Sequence, residues 1–134
     1  AAYEPKNNRS QLMETDDNKL LVDAYNANPT SMRAAIENFR DMKVERRMVI
    51  LGDMGELGES SWKAHQAIAD LLVESGFEHV WLVGPKFKAA RHPFRTFDSV
   101  EQVKKALEIK KPKGYYILIK GSHSTRLYDL PDFL

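Results

Sequence analysis

Runs of apolar residues alternate with helical patterns along most of the chain. The strand-like runs are nearly continuous, as in KLLVDAY (19–25), RRMVILG (46–52) and HVWLVG (79–84). Between them, apolar residues recur at i, i+3, i+4 and i+7, the period of one buried helix face. Strands without polar alternation are typical of a parallel sheet that is covered on both faces. The pattern therefore predicts an α/β domain.

The same reading predicts three main helices, a short closing helix and about six strands. Helices are expected over 29–42, 60–75 and 99–109, a last clear strand at 115–121, short strands in SQLME (10–14) and FRTF (94–97), and a short closing helix in STRLYDL (124–130). The segment 85–93 has no clear pattern. The second helix should bury a stripe made of Ala64, Ala67, Ile68, Leu71 and Leu72, with His65 one step off it and Gly76 as its C-terminal cap.

Three strands end in glycine, at Gly52, Gly84 and Gly121. In a parallel sheet these ends lie at one edge, the carboxyl edge, where open α/β folds bind ligands. The polar segments DAYNAN, GDMGE and KGSHS follow strands, so they should converge there. This convergence is the first indication of a site.

DAYNANP (23–29) offers a carboxylate and a helix start. Asp23, at the end of a buried strand, stands where nucleotide-binding sheets place an acid for ribose hydroxyls. Pro29 suits the first helical position, so Asn28 falls at the N-cap, either as its whole role or beside a ligand role. Tyr25 is either a core residue, which is favoured, or a ring stacked on a ligand.

LGDMGELGE (51–59) is not a dinucleotide fingerprint, because its glycines are spaced by three, and a GxxxxGK[ST] phosphate loop is also absent from the sequence. Asp53 and Glu56 are either a pair for metal or acid–base chemistry or part of a solvated turn, and the turn is favoured. A single His65 on a helix is more often structural than a ligand.

LIKGSHSTR (118–126) places a lysine, a glycine and two hydroxyls before a predicted helix start. It is either an anion pocket or a turn with a solvated lysine. Arg9 is a further candidate cation. These residues together predict an anionic, ribose-bearing ligand at the carboxyl edge, without naming a reaction.

Composition narrows the class of protein. A chain of 134 residues with 43% hydrophobic residues has the size of one soluble domain. A net charge of +1 gives no indication of a nucleic-acid groove or a polybasic membrane patch. No cysteine, no apolar run of about 20 residues and no signal-peptide pattern occur, which fits a cytoplasmic protein. The start without methionine and the apolar end suggest a piece of a longer protein, or processing.

VDAYNANPTSM, VILGDMGELGESS…H and LIKGS, in this order and spacing, resemble the C-terminal domain of the Mur ligase family. The resemblance runs from Tyr3 to the end, so all of 1–134 is expected to be one such domain, with 1–18 as a lead-in. It is greatest to the member that joins D-alanyl-D-alanine to UDP-N-acetylmuramoyl-tripeptide. A sister Mur ligase and a folylpolyglutamate synthase-like enzyme share the fold but resemble these motifs less.

The resemblance implies a Rossmann-like three-layer αβα fold and a role in peptidoglycan synthesis. ATP would phosphorylate the tripeptide carboxylate, and the amine of D-alanyl-D-alanine would attack the acyl phosphate. Mg²⁺ would be bound mainly by a central ATPase domain, which with an N-terminal domain lies outside this chain. The full enzyme is expected to be a cytoplasmic monomer, and this domain alone to be inactive.

The family's nucleotide residues match positions in the first part of this chain. Asp23 matches the aspartate that accepts hydrogen bonds from the ATP ribose, and Arg9 the arginine that reaches ATP phosphate. Tyr25, Asn26 and Asn28 match residues lining the cleft beside the nucleotide.

The family's dipeptide side matches Lys120 and Ser122 in the KGS element. The family commonly has KGSR, whereas His123 follows the serine here, so either Arg126 replaces that arginine or the role of binding the dipeptide carboxylate at this position is in doubt. The competing class is a free-standing Rossmann-like module that binds a nucleotide or a protein without chemistry.

Overall fold

The structure is a computed structural model that describes residues 11–23 and 27–134. In that part of the chain six strands form one sheet, in the order β1-β2-β6-β3-β4-β5. They are β1 (Gln11–Glu14), β2 (Lys19–Asp23), β3 (Arg47–Gly52), β4 (Val80–Val83), β5 (Arg95–Phe97) and β6 (Tyr116–Lys120). All neighbours are parallel except β1, which pairs antiparallel with β2. The predicted α/β fold with a mostly parallel sheet is confirmed.

Helices cover both faces of this sheet. They are α1 (Pro29–Asp41), α2 (Ser61–Glu74), α3 (Pro85–Ala89) and α4 (Val100–Ile109), with 3₁₀ turns at Gly58–Ser60, His123–Thr125 and Leu127–Phe133. The five-residue α3 occupies the segment that had no clear pattern. The closing helix is confirmed in part: a 3₁₀ helix covers Leu127–Phe133, but it begins later than predicted because Arg126, at φ 58°, separates it from the short 3₁₀ turn before it.

Two apolar cores lie on the two sides of the sheet. The first packs α1, α2 and α3 on one face, through Met32, Ile36, Phe39, Ile68, Leu72 and Phe87 against Val49, Leu51, Leu82 and Leu118. The second packs α4 and the last 3₁₀ turn on the other face, through Val103, Leu107, Leu127 and Leu130 against Ile50, Ile117 and Ile119. Residues of β3 and β6 alternate between the cores, as a sheet buried on both faces requires.

The buried face of α2 differs from the predicted stripe. His65 is completely buried, whereas Ala67 is exposed. A polar ring is tolerated inside because both of its nitrogens have hydrogen-bond partners, described below. The predicted cap is confirmed: Gly76, at φ 81°, donates to Val73 O, and Phe77 N donates to Leu72 O.

The carboxyl ends of the parallel strands meet at one edge, as predicted. β6 lies between β2 and β3, and its Lys120 is paired in register with Asp23 on one side and Leu51 on the other. Gly52, Gly84 and Gly121 all follow or end strands at this edge. Within the described residues, no helix is long and apolar enough to cross a membrane.

Candidate functional site

The centre of the carboxyl edge is an ion pair between Asp23 and Lys120. Parallel register sets the two residues side by side, and Lys120 Nζ lies 2.9 Å from Asp23 Oδ2. The lysine side chain is 1% exposed and the aspartate side chain 14% exposed. A buried ammonium needs such a partner, since an unpaired charge in a low-dielectric interior costs several kcal/mol. Candidate residues for the nucleotide and for the dipeptide are therefore in direct contact.

Close backbone packing brings the ends of β3 and β6 together beside this pair. A Cβ atom on Gly121 would lie 2.7 Å from Thr125 Oγ1 and 2.9 Å from the Cα of Gly52. A Cβ on Gly52 would lie 2.7 Å from the same hydroxyl oxygen. Glycine at both strand ends is thus required by space, and it lets the turn after β6 fold back over β3.

Asp53 joins three loops at this edge. Its carboxylate accepts hydrogen bonds from the backbone N–H groups of Lys86 and Phe87, both at 2.9 Å, and thereby caps α3. Its carbonyl oxygen accepts from Ser122 N at 3.0 Å, and its own N–H donates to Val83 O. The acid therefore fixes the start of α3 and the turn after β6 relative to β3.

His65 holds the residue that follows Asp53. Met54 N donates to His65 Nε2 at 3.0 Å, so this nitrogen is the acceptor and Nδ1 carries the proton. Nδ1 lies 2.7 Å from Ser61 O, and the ring packs edge-on against Phe87 at 4.7 Å. These contacts support the structural interpretation of Asp53 and His65. Glu56, with φ 59°, is exposed on the turn.

The turn after β6 carries hydroxyls and one exposed cation. Ser122 Oγ and Ser124 Oγ are 3.0 Å apart, and Thr125 Oγ1 donates to Ser122 O at 2.7 Å. Arg126 Nη2 lies 3.2 Å from Asp129 Oδ2, and 59% of its side chain is exposed. The ring of His123 packs against Tyr128, with the ring centroids 5.0 Å apart.

Asp129 serves two cations. Lys104 Nζ lies 3.1 Å from Asp129 Oδ2, the oxygen that Arg126 also contacts. The hydrogen bond from Lys104 lowers the pKa of Asp129 most; burial opposes it, and the charges of Arg126 and Lys104 lower the pKa further. The carboxylate is thus ionised, and one acid is shared between two cations.

A cleft of about 480 Å³ opens between these loops. Its lining comes from the segment after β3, the start of α3, the start of α4 and the turn after β6, and includes Met54, Lys86, Ser99, Ser122, Ser124 and Arg126. Ser122 also lines a small depression beside Asp23 and Lys120. The ion pair and the cleft are therefore neighbouring parts of one edge.

Of the four remaining residues that the sequence predicted for the site, the structure describes only Asn28. Asn28 is confirmed as the N-cap of α1: Ser31 N donates to its Oδ1 at 2.8 Å, and Asn28 N donates back to Ser31 Oγ at 3.1 Å. Its role beside a nucleotide stays a prediction. Arg9, Tyr25 and Asn26 lie outside the described residues. In residues 11–23 and 27–134, no group of three or more His, Asp or Glu side chains could hold a metal ion.

Residues 8–123 match the sequence model of the family described as "Mur ligase, glutamate ligase domain". The chain belongs to the Mur ligase C-terminal domain family. A relative in Treponema pallidum, named UDP-N-acetylmuramoyl-tripeptide–D-alanyl-D-alanine ligase, is 32% identical over 123 residues, which are 85% of this chain and 27% of the relative. A ligase of the same name in Rickettsia prowazekii is 28% identical over 131 residues, 93% of this chain and 29% of that protein.

Solved structures of Mur ligases have the same fold. MurF from Acinetobacter baumannii superposes with a TM-score of 0.77 at 28% identity, over 93% of this chain and 30% of that one. MurF ligase from Thermotoga maritima, in complex with ADP, gives a TM-score of 0.78 at 22% identity, over 94% and 30%. The chain thus spans less than a third of the length of the Mur ligases that it matches here.

Two residues at this edge of the Mur ligase domain were not recognised from sequence. Lys86 was not considered because 85–93 had no assigned element, although Pro85 directly after a glycine-ended strand is a signal for a helix start. The central position of Asp53 was also missed. It depends on contacts with residues 33 and 69 positions away, which no local pattern reveals.

Proposed function

We propose that this Mur ligase domain is the C-terminal part of an ATP-dependent ligase that joins D-alanyl-D-alanine to UDP-N-acetylmuramoyl-tripeptide in peptidoglycan synthesis. The observation that carries the proposal is the Asp23–Lys120 pair at the carboxyl edge, in a chain whose relatives bear the name of that ligase. In the full enzyme, ATP activates the tripeptide carboxylate as an acyl phosphate, and the amine of the dipeptide attacks it.

The chemistry of Asp23 fits the ribose of ATP. One of its oxygens contacts Lys120, and the side chain keeps 14% of its surface exposed. An ionised carboxylate has acceptor sites for more than one donor, so ribose hydroxyls have a place to donate. The ADP complex of the Thermotoga relative is in keeping with a nucleotide bound to this class of enzyme. Arg9, Tyr25, Asn26 and Asn28 complete this side of the proposal.

The dipeptide side consists of Lys120, Ser122 and Arg126. Lys120 holds Asp23, and Ser122 lines both the depression beside the ion pair and the neighbouring cleft. A domain that closes over an acyl phosphate excludes water and sets the amine in attack geometry, which favours transfer over hydrolysis. Mg²⁺ would be bound mainly by the central domain. The full enzyme is proposed to be a monomer in the cytoplasm.

Substrate choice of the full-length enzyme tests the proposal. With ATP and the muramoyl-tripeptide, D-alanyl-D-alanine should be the amine that yields product, together with one ADP per bond. Faster product formation with a single amino acid would assign the domain to a sister ligase. The 134-residue chain alone should release no phosphate from ATP, because it has no GxxxxGK[ST] segment.

The competing proposal, a binding module without chemistry, has a simple discriminator. The gene of the ligase should encode a GxxxxGK[ST] segment in frame before Ala1. A start codon immediately upstream of Ala1 would favour the module.

A further inference from the structure

Lys86 stands on the opposite side of β3 from Arg126. Lys86 follows β4 and Arg126 follows β6, the two strands that flank β3, and both side chains line the 480 Å³ cleft. We propose that Lys86, together with Arg126, binds the terminal carboxylate of the incoming dipeptide in this cleft, with the dipeptide amine directed toward Ser122. The inference rests on the proposed function and adds to it the residue that recognises the free carboxylate.

The charges around the cleft leave Lys86 available. Within the described residues no acidic group lies within ion-pairing distance of Lys86, whereas Lys88 on the same helix is 2.7 Å from Asp98. Arg126 shares Asp129 with Lys104, and in the described part of the chain no other acid pairs with Arg126. A carboxylate ligand would therefore meet one cation without an acid and one whose acid is shared.

The acids that line the cleft are already bonded. Asp53 accepts from two backbone N–H groups, Asp98 pairs with Lys88, and Glu101 lies 3.4 Å from Lys104 Nζ. Each carboxylate is thus compensated by a donor of this chain. An added anion near Lys86 forms charge-assisted hydrogen bonds without displacing any of these contacts.

The walls of the cleft are held in place before a ligand arrives. Asp53 bonds the backbone of Lys86 through its carboxylate and the backbone of Ser122 through its carbonyl oxygen. One residue therefore fixes the relative position of the proposed carboxylate end and the proposed amine end. Such preorganisation lowers the entropy lost on binding.

The volume of the cleft is sufficient for a dipeptide. An extended dipeptide spans about 7 Å, and the cleft has a volume of about 480 Å³. Ser122 lines both the cleft and the depression beside Asp23 and Lys120, so an amine there lies next to the proposed nucleotide side. The carboxylate then lies toward Lys86 and Arg126, which line the cleft but not that depression.

The test uses Lys86→Met in the full-length enzyme, with Lys111→Met as the control, because Lys111 and its partner Asp17 both lie outside the cleft. Loss of one charge-assisted contact should raise the KM for D-alanyl-D-alanine about 10- to 100-fold. The KM for ATP should not change. Lys111→Met, whose lysine pairs with Asp17 and does not line the cleft, should leave both constants unchanged.

A second substrate separates recognition from damage to the fold. D-alanyl-D-alanine amide lacks the free carboxylate, so the wild-type enzyme should use it with a higher KM than the acid. In Lys86→Met the KM for the acid should rise, whereas the KM for the amide should stay nearly the same. The ratio of the amide KM to the acid KM should therefore fall by the factor by which the acid KM rises. A merely structural role would impair both substrates equally and preserve the ratio.

The outcomes distinguish the two proposals. Activity of the wild-type enzyme with D-alanyl-D-alanine, together with an unchanged acid-to-amide ratio in Lys86→Met, would overturn the inference and leave the proposed function intact. Equal effects of Lys86→Met and Lys111→Met would do the same. A wild-type enzyme that joins a different amine would overturn the proposed function and the inference with it.

Discussion

Asp23 and Asp53 both stand at carboxyl ends of strands, on either side of β6, and the structure uses them differently. Both oxygens of Asp53 accept backbone N–H groups of α3, whereas Asp23 contacts a buried ammonium through one oxygen and keeps part of its surface exposed. The comparison teaches that an acid at a strand end is not by itself a site. The partners of the carboxylate determine whether its oxygens are fully hydrogen-bonded within the domain or can still accept a hydrogen bond from a ligand.

Lys120→Met should have the largest effect on stability, because it leaves the carboxylate of Asp23 beside an apolar side chain. Breaking a largely buried ion pair costs about 3 to 5 kcal/mol in the free energy of unfolding. Urea denaturation of this chain measures it. The double variant Asp23→Asn with Lys120→Met should be less destabilised than Lys120→Met alone; an equal or greater loss would show that the two charges are not coupled.

Gly84→Ala should cause the second largest loss of stability, because Gly84 packs against Asp53. A Cβ there would lie 2.4 Å from the Asp53 carboxyl, at a backbone φ of 117°, so the α3 cap must shift. We expect a loss of about 3 kcal/mol from strain and overlap together. Gly58→Ala is the control: it also has a positive φ, 55°, but meets no atom within 4 Å. Equal melting temperatures of the two variants would contradict the packing described for Asp53.

The smallest effect on stability is expected at Asp98, an exposed acid, in contrast to Asp23 and Asp53. A hydrogen bond from Lys88 and then its charge lower the pKa of Asp98 from 3.8, against the opposing effect of burial. Its contribution to stability is present above 3.8 and is lost as the pH falls through the lower folded value. Lys88→Met should raise this pKa toward 3.8, as followed by NMR of the carboxyl carbon.

The control for that titration is Asp17, whose pKa is lowered chiefly by a hydrogen bond from Lys111. It should titrate identically in Lys88→Met and in the unchanged chain. A shift of both acids would indicate a change in the fold rather than loss of one pair.

Much of the fold was predictable because apolar periodicity reports burial directly. β3, α1 and α4 fall within a residue or two of their predicted bounds. The predicted stripe of α2 was partly wrong, since apolar periodicity treats alanine as buried and histidine as exposed. His65 can be buried because both of its ring nitrogens have hydrogen-bond partners. The start and the type of the closing helix were not predicted, because nothing local in the sequence requires Arg126 to adopt a positive φ.

The site was predictable only in part. Strand-end positions identified Asp23 and Lys120, but their contact depends on the pairing of β2 with β6, which are 97 residues apart in register. The local sequence around either strand does not indicate which strand it pairs with. The exposed Lys86 was not identifiable either, because a lysine in a short helix has no pattern that separates a binding residue from a solvated one.

The KM for ATP of the full-length Asp23→Asn enzyme tests the central claim most directly. Asparagine keeps the shape of Asp23 but loses its charge, so its hydrogen bonds to ribose hydroxyls should weaken. The account predicts a KM for ATP raised about tenfold, with the fraction folded verified by thermal melting. An unchanged KM for ATP in a fully folded enzyme would remove Asp23 from the nucleotide site and contradict the account.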